Sequence, residues 1–497
     1  MGDPYPQFIE AVKDIERLSA VDSLLDWDQE TYMPAGGVGA RAEHRSLVAG
    51  LIHERRVASE FAGWLEALSD DDPDPVRATN IRETRRLFDR QRRVPVKLIK
   101  EIAHTGTMAK SAWVKARADS DFAQFQPHLV ELIRLKRELA ECVGYEGEPY
   151  NALMDEFEPG ARVETIAPLF ARLRAALVPL LEAIKSSKHQ PDGSILLRPY
   201  PVDEQKALSH ELASAFGFDF DRGRIDISTH PFCTQFGCDD VRLTTRYDEH
   251  FMHAAMFGIM HEIGHGLYEQ GLLRKHDFTP MGKSISLGIH ESQSRMWENM
   301  VGRSRPFWIR RYADLQHRFP EALGNVTLDA FHAAINEVTP SCIRVEADEV
   351  TYNLHIILRF EMERALIDGS LAVEDIPGVW NEKMKALVGI EPSNDREGCL
   401  QDIHWTLGTF GYFPTYTLGN LYAAQFFEAA KVDIGNLEAR IRDGDLGALL
   451  SWLRTNIHEQ GQRYRAEELC EKVTGTPLAI EPFTNYLAVK FSEIYKL

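Results

Sequence analysis

Residues 163 to 185, "VETIAPLFARLRAALVPLLEAIK", place Ile166, Leu169, Leu173, Leu177, Leu180 and Ile184 three and four positions apart. That spacing lines one face of an α-helix and commits a continuous apolar stripe to burial. Pro168 and Pro179 fall inside the stripe without breaking its period. Similar spacing recurs near residues 6 to 26, 95 to 142, 350 to 367 and 417 to 432, so a mostly α fold is expected.

Alternation of the strand kind is local. In "DVRLTTRY", Val241, Leu243, Thr245 and Tyr247 alternate with Arg242, Thr244 and Arg246. One small β-sheet is therefore expected at this point of the chain. "PAGGVGA" (Pro34 to Ala40) and "PDGS" (Pro191 to Ser194) read as turns or loops. No fixed-period repeat or low-complexity tract divides the chain. At 497 residues it exceeds the size at which a single core keeps growing. The reading is one folded unit over residues 1–497, built of two lobes.

Charge narrows the partners. The chain carries 56 basic and 75 acidic residues, a formal charge of −19. Nucleic acid and anionic membranes need a basic face, so neither is expected as a partner. Six sparse, irregularly spaced cysteines read as free thiols of a reducing compartment. "CTQFGC" (Cys233 to Cys238) has four residues between its thiols and no second pair, so ordinary packing is preferred to metal binding. The N-terminal stretch has no secretory pattern, and no apolar run approaches the roughly 18 residues a membrane span needs. A cytoplasmic location is expected.

"GIMHEIGHGLYEQG" (Gly258 to Gly271) sets His261 and His265 four residues apart, with Glu262 directly after the first. On a helix the two imidazoles share a face and can bind one ion, while Glu262 lies about 100° around the axis, within reach of a water on it. Zinc held by neutral nitrogen ligands with an open position acidifies that water and polarises a carbonyl. The glutamate would take the water's proton and pass it to a leaving amine. An H-E-x-x-H match arises by chance in roughly one chain in twenty of this composition, so context has to decide. Met256, Met260, Ile263 and Leu267 supply the buried helix face that the motif requires. Gly264 and Gly266 in a helix interior point to something packed closely against them.

A third ligand is needed. The pattern with a third histidine fails, because Tyr268 and Gly271 stand at its glycine and histidine positions. The alternative is a glutamate from a later helix, and "LGIHESQSRMWENM" offers Glu291. Glu269 and Glu298 are its rivals.

With these residues in view, the sequence resembles the carboxypeptidase Taq family of metallocarboxypeptidases over nearly its full length. The resemblance rests on "HEIGH" together with "HPF" (His230 to Phe232), "DVRLT" (Asp240 to Thr244), "HESQ" (His290 to Gln293), "IRVEAD" (Ile343 to Asp348) and "GCLQDIHW" (Gly398 to Trp405). It implies a mostly helical fold with a long groove, like those of neurolysin and angiotensin-converting enzyme, and zinc at the base of the groove. It also implies a homodimer that removes single residues from peptide C-termini, with broad preference and poor action on proline. On that pattern His261, His265 and Glu291 are the ligands and Glu262 the general base.

Further roles follow from chemistry and family position together. A guanidinium that pairs the substrate's free carboxylate is needed, and Arg344 is the candidate; the plain structural alternative is an ion pair with Glu346 or Asp348. Tyr416 is the candidate oxyanion donor, with Tyr412 as its rival. His230 and His404 are expected along the groove. Arg242 and Asp240 either close its end or simply pair with each other. In thermolysin-like enzymes an aspartate four residues after the glutamate ligand orients a histidine ligand; here that position is Arg295, so the support must come from elsewhere. Cobalt or manganese could replace zinc, since metal choice depends on supply as well as ligands. Two other functions compete with the carboxypeptidase: an oligopeptidase of the same mechanism, and a helical scaffold with a degenerate metal site.

Overall fold

The structure, a computed structural model, describes residues 2–497. The N-terminal part is built from α1 (Tyr5–Thr31), α2 (Val38–Arg56), α3 (Ser59–Ala67), α4 (Pro75–Arg92), α5 (Val96–Asp119) and α6 (Phe122–Val143). After them come α7 (Tyr150–Met154), α8 (Val163–Ser186) and α9 (Val202–Phe216), then strands β1 (Gly223–Ile227), β2 (Cys233–Gln235) and β3 (Val241–Thr245). The central helices are α10 (Met252–Gly271) and α11 (Leu287–Arg295), the latter continued by a π-helical segment, Met296–Gly302. Of the later helices, α12 (Thr351–Asp368) and α13 (Pro414–Ile434) matter most for the site.

The mostly helical expectation holds, and the stripe of α8 shows why. Its buried residues are Val163, Ile166, Phe170, Leu173, Leu177, Leu181 and Ile184. Phe170 and Leu181 take the places assigned to Leu169 and Leu180, because the true period of 3.6 moves the face by one position at each. Pro168 and Pro179 both lie inside the helix on its exposed side, where the missing N–H faces solvent. The pattern over 95–142 resolves into two helices. Ser120 breaks it with a left-handed φ of 53°, and the Asp121 side chain caps α6 by accepting from the Ala123 N–H.

The loop expected over Pro34 to Ala40 is shorter than read. Ala35–Gly37 form a 3-10 turn and α2 begins at Val38. Gly39 sits in open space, and the next ten residues contain neither glycine nor proline, so helix propensity carries the start back through it. Arg45 then ties α2 to α1 by a forked pair to Asp22 at 2.9 and 3.0 Å.

The sheet has the order β1-β3-β2, with β1 parallel and β2 antiparallel to the central strand. It packs on α10 through Leu243, whose Cδ2 lies 2.9 Å from where a Cβ on Gly266 would sit. One large apolar cluster runs from α5 to the C-terminus and includes Met256, Met260, Ile263 and Leu267 of α10. A smaller cluster of Phe8, Val12, Ile15, Phe61, Leu65 and Ile81 holds α1, α3 and α4 together.

Two close approaches set the centre of the molecule. A Cβ on Gly264 of α10 would fall 2.5 Å from Ser294 Cα and 2.6 Å from the Gln293 carbonyl oxygen on α11. A Cβ on Gly419 of α13 would fall 2.6 Å from Glu291 Cβ. Only glycine admits backbones this near to one another, and the result is three helices converging on Glu291.

Candidate active site

His261 and His265 rise from successive turns of α10, and Glu291 faces them from α11. The two Nε2 atoms are 3.2 Å apart, and each is 3.5 Å from Glu291 Oε2. A tetrahedral ion with bonds of about 2.0–2.1 Å spaces its ligands at about 3.3 Å, so the three atoms fit one ion of the zinc kind. No other group of three histidine, cysteine or carboxylate ligand atoms among the described residues converges in this way. Among the carboxylates considered from sequence, Glu291 therefore completes the triad, and Glu269 and Glu298 do not.

Both rivals are engaged elsewhere. Glu298, on the π segment, places Oε2 3.0 Å from His261 Nδ1. Arg295 holds Glu298 at 3.3 Å and donates from Nε to Glu291 Oε1 at 2.7 Å. The second layer missing from the sequence reading is thus a carboxylate seven residues after the glutamate of the triad, with Arg295 bridging the two. Glu269 pairs with His290 at 2.7 Å, and the His290 ring stacks on His265 at 4.4 Å.

The charges follow from these contacts. Burial works to raise Glu291, but Arg295 and the two imidazoles outweigh it and hold its carboxyl well below the usual range. Glu298 is pushed down to about 2 against its own burial, chiefly by Arg295 and His261. Glu262 is buried beside the triad, and burial pushes it up to about 7.

Arg344 lies on a short 3-10 turn and is buried. Its Nε and Nη2 donate to Asp402 Oδ1 at 3.0 and 2.9 Å, and Nη1 donates to the Tyr352 hydroxyl at 3.0 Å. The ion pair with Glu346 or Asp348 is not formed. Glu346 is exposed, and Asp348 is occupied in accepting from the Val350 and Thr351 N–H groups at the start of α12. Tyr416 comes to the same place: its ring is 5.0 Å from the Arg344 guanidinium, and its hydroxyl is 3.3 Å from His404 Nε2. Tyr412 packs edge-on against Tyr416 at 5.3 Å. Burial pushes His404 down to about 4, leaving a neutral imidazole there.

Tyr352 connects this group to the triad, since the Arg295 guanidinium lies 4.3 Å from its ring centre. Two sequence candidates stand apart. His230 is exposed in the turn between β1 and β2, and its carbonyl oxygen accepts from Ser228 Oγ. Arg242 makes a forked pair with Asp240, both bonds at 2.9 Å, and its guanidinium lies 4.1 Å from the Trp27 ring of α1. Beyond Glu269 a cavity of about 350 Å³ opens between α1, the β2–β3 turn and the segment around Phe278 and Lys283.

Asp402 and Tyr352 were missed as site residues. Asp402 lies inside the quoted "GCLQDIHW", but a side chain 58 positions from its partner leaves no local signal. Tyr352 falls on a helix face whose residues are buried all round, where nothing marks one tyrosine from another.

A family model described as carboxypeptidase Taq (M32) metallopeptidase matches residues 7–491. The chain is 45% identical to thermostable carboxypeptidase 1 of Thermus thermophilus, with 99% of each chain covered. It is 37% identical to carboxypeptidase 1 of Bacillus subtilis, over 99% of this chain and 98% of that one. The crystal structure of an M32 carboxypeptidase from Deinococcus radiodurans superposes with a TM-score of 0.97 at 38% identity, over the whole of both chains. The matched span takes in the helices that carry the triad and the Arg344 group alike, and on it the chain belongs to the carboxypeptidase Taq (M32) family and is a metallocarboxypeptidase.

Proposed function

We propose that this enzyme releases single amino acids from the free C-termini of peptides, with His261, His265 and Glu291 holding one zinc ion and Glu262 acting as general base. The observation that carries the reading is the triad at 3.2 to 3.5 Å with Glu262 beside it and a buried arginine group within two side chains of Glu291. When bound, the ion would lower the pKa of a water toward about 7 and polarise the scissile carbonyl. Cobalt or manganese would suit the same ligands where supply favours them.

Glu262 accepts the proton of the attacking water at its carboxylate and delivers it to the leaving amine. Arg344 pairs the substrate's terminal carboxylate and so selects the last peptide bond. Tyr416 donates its hydroxyl to the oxygen that gains charge, with Tyr412 holding its ring in place. His404, neutral, hydrogen-bonds Tyr416 or a substrate carbonyl, and His230 lines the groove farther out. The cavity beyond Glu269 gives the rest of the peptide room, and Arg242, paired with Asp240 and packed on Trp27 of α1, closes the end of the groove. Broad specificity follows from recognition that reads a carboxylate more than a side chain. A C-terminal proline lacks the N–H of the scissile bond and fixes the chain, which accounts for poor action on it.

The enzyme is further proposed to work as a homodimer in the cytoplasm. Six free cysteines support a reducing compartment. The family resemblance and α2, on which no residue is buried and Val38 and Leu47 are exposed, support self-association; light scattering measures it. No helix of the described residues is long and apolar enough to cross a membrane.

Mass spectrometry of an unblocked ten-residue peptide, with zinc-loaded enzyme and with Glu262→Gln, tests the activity. The expected result is a ladder of single C-terminal losses that the variant does not produce. Internal fragments would make it an oligopeptidase, and an intact peptide with zinc bound would make it a scaffold.

A further inference from the structure

Arg344 does not stand alone against Asp402. A second guanidinium, Arg359 of α12, is completely buried on the other side of the same carboxylate. Its Nε donates to Asp402 Oδ2 at 2.6 Å, while Arg344 occupies Oδ1. Gln401 joins the two arginines: its Oε1 accepts from the Arg344 backbone N–H and from Arg359 Nη2, both at 2.8 Å. The orientation of that amide is fixed, because its Nε2 donates to the carbonyl oxygens of Cys342, Glu397 and Gly398. Arg359 is held in turn by the His355 carbonyl oxygen at 2.8 Å and by the Trp380 ring, 4.7 Å away.

The group therefore contains two positive charges and one negative. His404, whose Nδ1 lies 4.0 Å from Asp402 Oδ1, is neutral, so it does not alter the sum. An arginine paired with a carboxylate in a buried place is a neutral unit and has little net attraction for a further anion. Arg359 changes that by satisfying the second oxygen of Asp402 and offsetting its charge. Three of the five Arg344 N–H groups are engaged by Asp402 and Tyr352, which leaves two for an incoming carboxylate. Arg344 reaches only Oδ1, so Arg359 does two things at once: it pairs Oδ2, and it leaves the group with a net positive charge.

We propose that Arg359 is a positioning residue for the terminal-carboxylate site: by neutralising Asp402 from behind, it leaves the charge of Arg344 free for the substrate. This rests on the reading that Arg344 binds that carboxylate. Arg359 itself touches no substrate.

The test uses an N-blocked dipeptide with a free carboxylate as substrate, and a non-cleaved dipeptide analogue with its carboxamide as a pair of competitive inhibitors. Arg359→Met is expected to raise KM about tenfold with kcat little changed, and to erase the preference for the acid inhibitor over its amide. Arg359→Lys, which keeps the charge, is expected to stay within about threefold of the parent. The decisive variant is Arg359→Met with Asp402→Asn, which restores the sum of one positive charge and removes the carboxylate that in a lone Arg359→Met would cancel the charge of Arg344. It is expected to regain the acid preference and a KM within about threefold of the parent. Should Arg359→Met not fold, this double variant still decides: a tenfold rise in its KM, or no acid preference, overturns the proposal. Arg344→Met separates the two levels. If it raises KM while Arg359→Met does not, the role of Arg359 falls alone; if it leaves KM unchanged, the carboxylate reading falls and takes the role of Arg359 with it.

Discussion

Glu298 Oε2 lies 3.0 Å from Nδ1 of His261, the ring nitrogen on the side away from Glu291. The contact fixes the tautomer that presents a lone pair at Nε2 and stops the ring from turning. His265 has no such help: its Nδ1 is buried without a hydrogen-bond partner among the described residues, and its ring is held by stacking on His290 instead. The two histidines are therefore oriented by different means.

Replacing Glu298 by alanine should weaken zinc binding by about 10- to 100-fold, the usual loss when such a partner is removed. Competition with a chromophoric chelator measures it. An unchanged affinity would mean that helix packing alone orients His261.

Glu262→Gln should lower kcat by at least about 10²-fold, within the range that general-base catalysis supplies, with no change in zinc content. Elemental analysis beside the rate assay separates loss of the base from loss of the ion. A variant that also lost its zinc would show that Glu262 shapes the site as well.

Gly264→Ala tests the approach of α10 to α11. Alanine favours a helix over glycine by about 1 kcal/mol, but the new Cβ would meet Ser294 Cα at 2.5 Å, and a backbone atom cannot swing aside. Overpacking of about 1–3 kcal/mol should win, and because the shift parts His261 and His265 from Glu291, zinc affinity should fall with the thermal midpoint. A more stable variant would show that the helices separate at little cost.

Glu363 of α12 gives the chain a pH dependence unrelated to catalysis. It is wholly buried, accepts from the Tyr150 hydroxyl, the Trp405 indole and the Gly411 N–H, and burial pushes its pKa from 4.5 up to about 7. The folded state then holds the proton more tightly than the unfolded chain. Its contribution is fully present below about pH 4.5 and is lost as pH rises through about 7, to an extent on the order of 3 kcal/mol. Glu363→Gln cannot titrate, so the advantage of the parent over the variant in urea midpoint should shrink between pH 5 and pH 8. A constant difference would place the pKa of Glu363 in the ordinary range.

The parts of the site legible in the sequence were those written into one helix or into the packing it demands. His261, Glu262 and His265 follow from spacing within α10, and the two glycines nearby announced the close contacts that α11 and the sheet make with it. Glu291 could be reached because so few carboxylates open a helical pattern soon after the motif. What escaped has another character. The π segment turns Glu298 from a rival ligand into a partner of His261, and a widened helical turn has no period that residue types betray. The Arg344 group unites residues 344, 352, 359, 401 and 402 from different elements, and tertiary packing alone decides which carboxylate meets which guanidinium. At the α2 start the difference is local: Gly39, a loop marker by residue type, sits in the first turn of the helix.

The near-contact of α10 and α13 with α11 has a consequence for how the enzyme handles its ion. In small zinc modules the metal organises the fold, and chelation unfolds them. Here the positions of Glu291 and the two histidines are dictated by backbones that already touch at Gly264 and Gly419, deep in a core of many helices. The cradle is preformed. Stripping the ion should stop turnover yet leave the circular dichroism of the protein almost intact, and re-addition should restore activity without refolding. An enzyme built this way can exchange its metal within the lifetime of one folded molecule, so that the species it carries follows the supply around it.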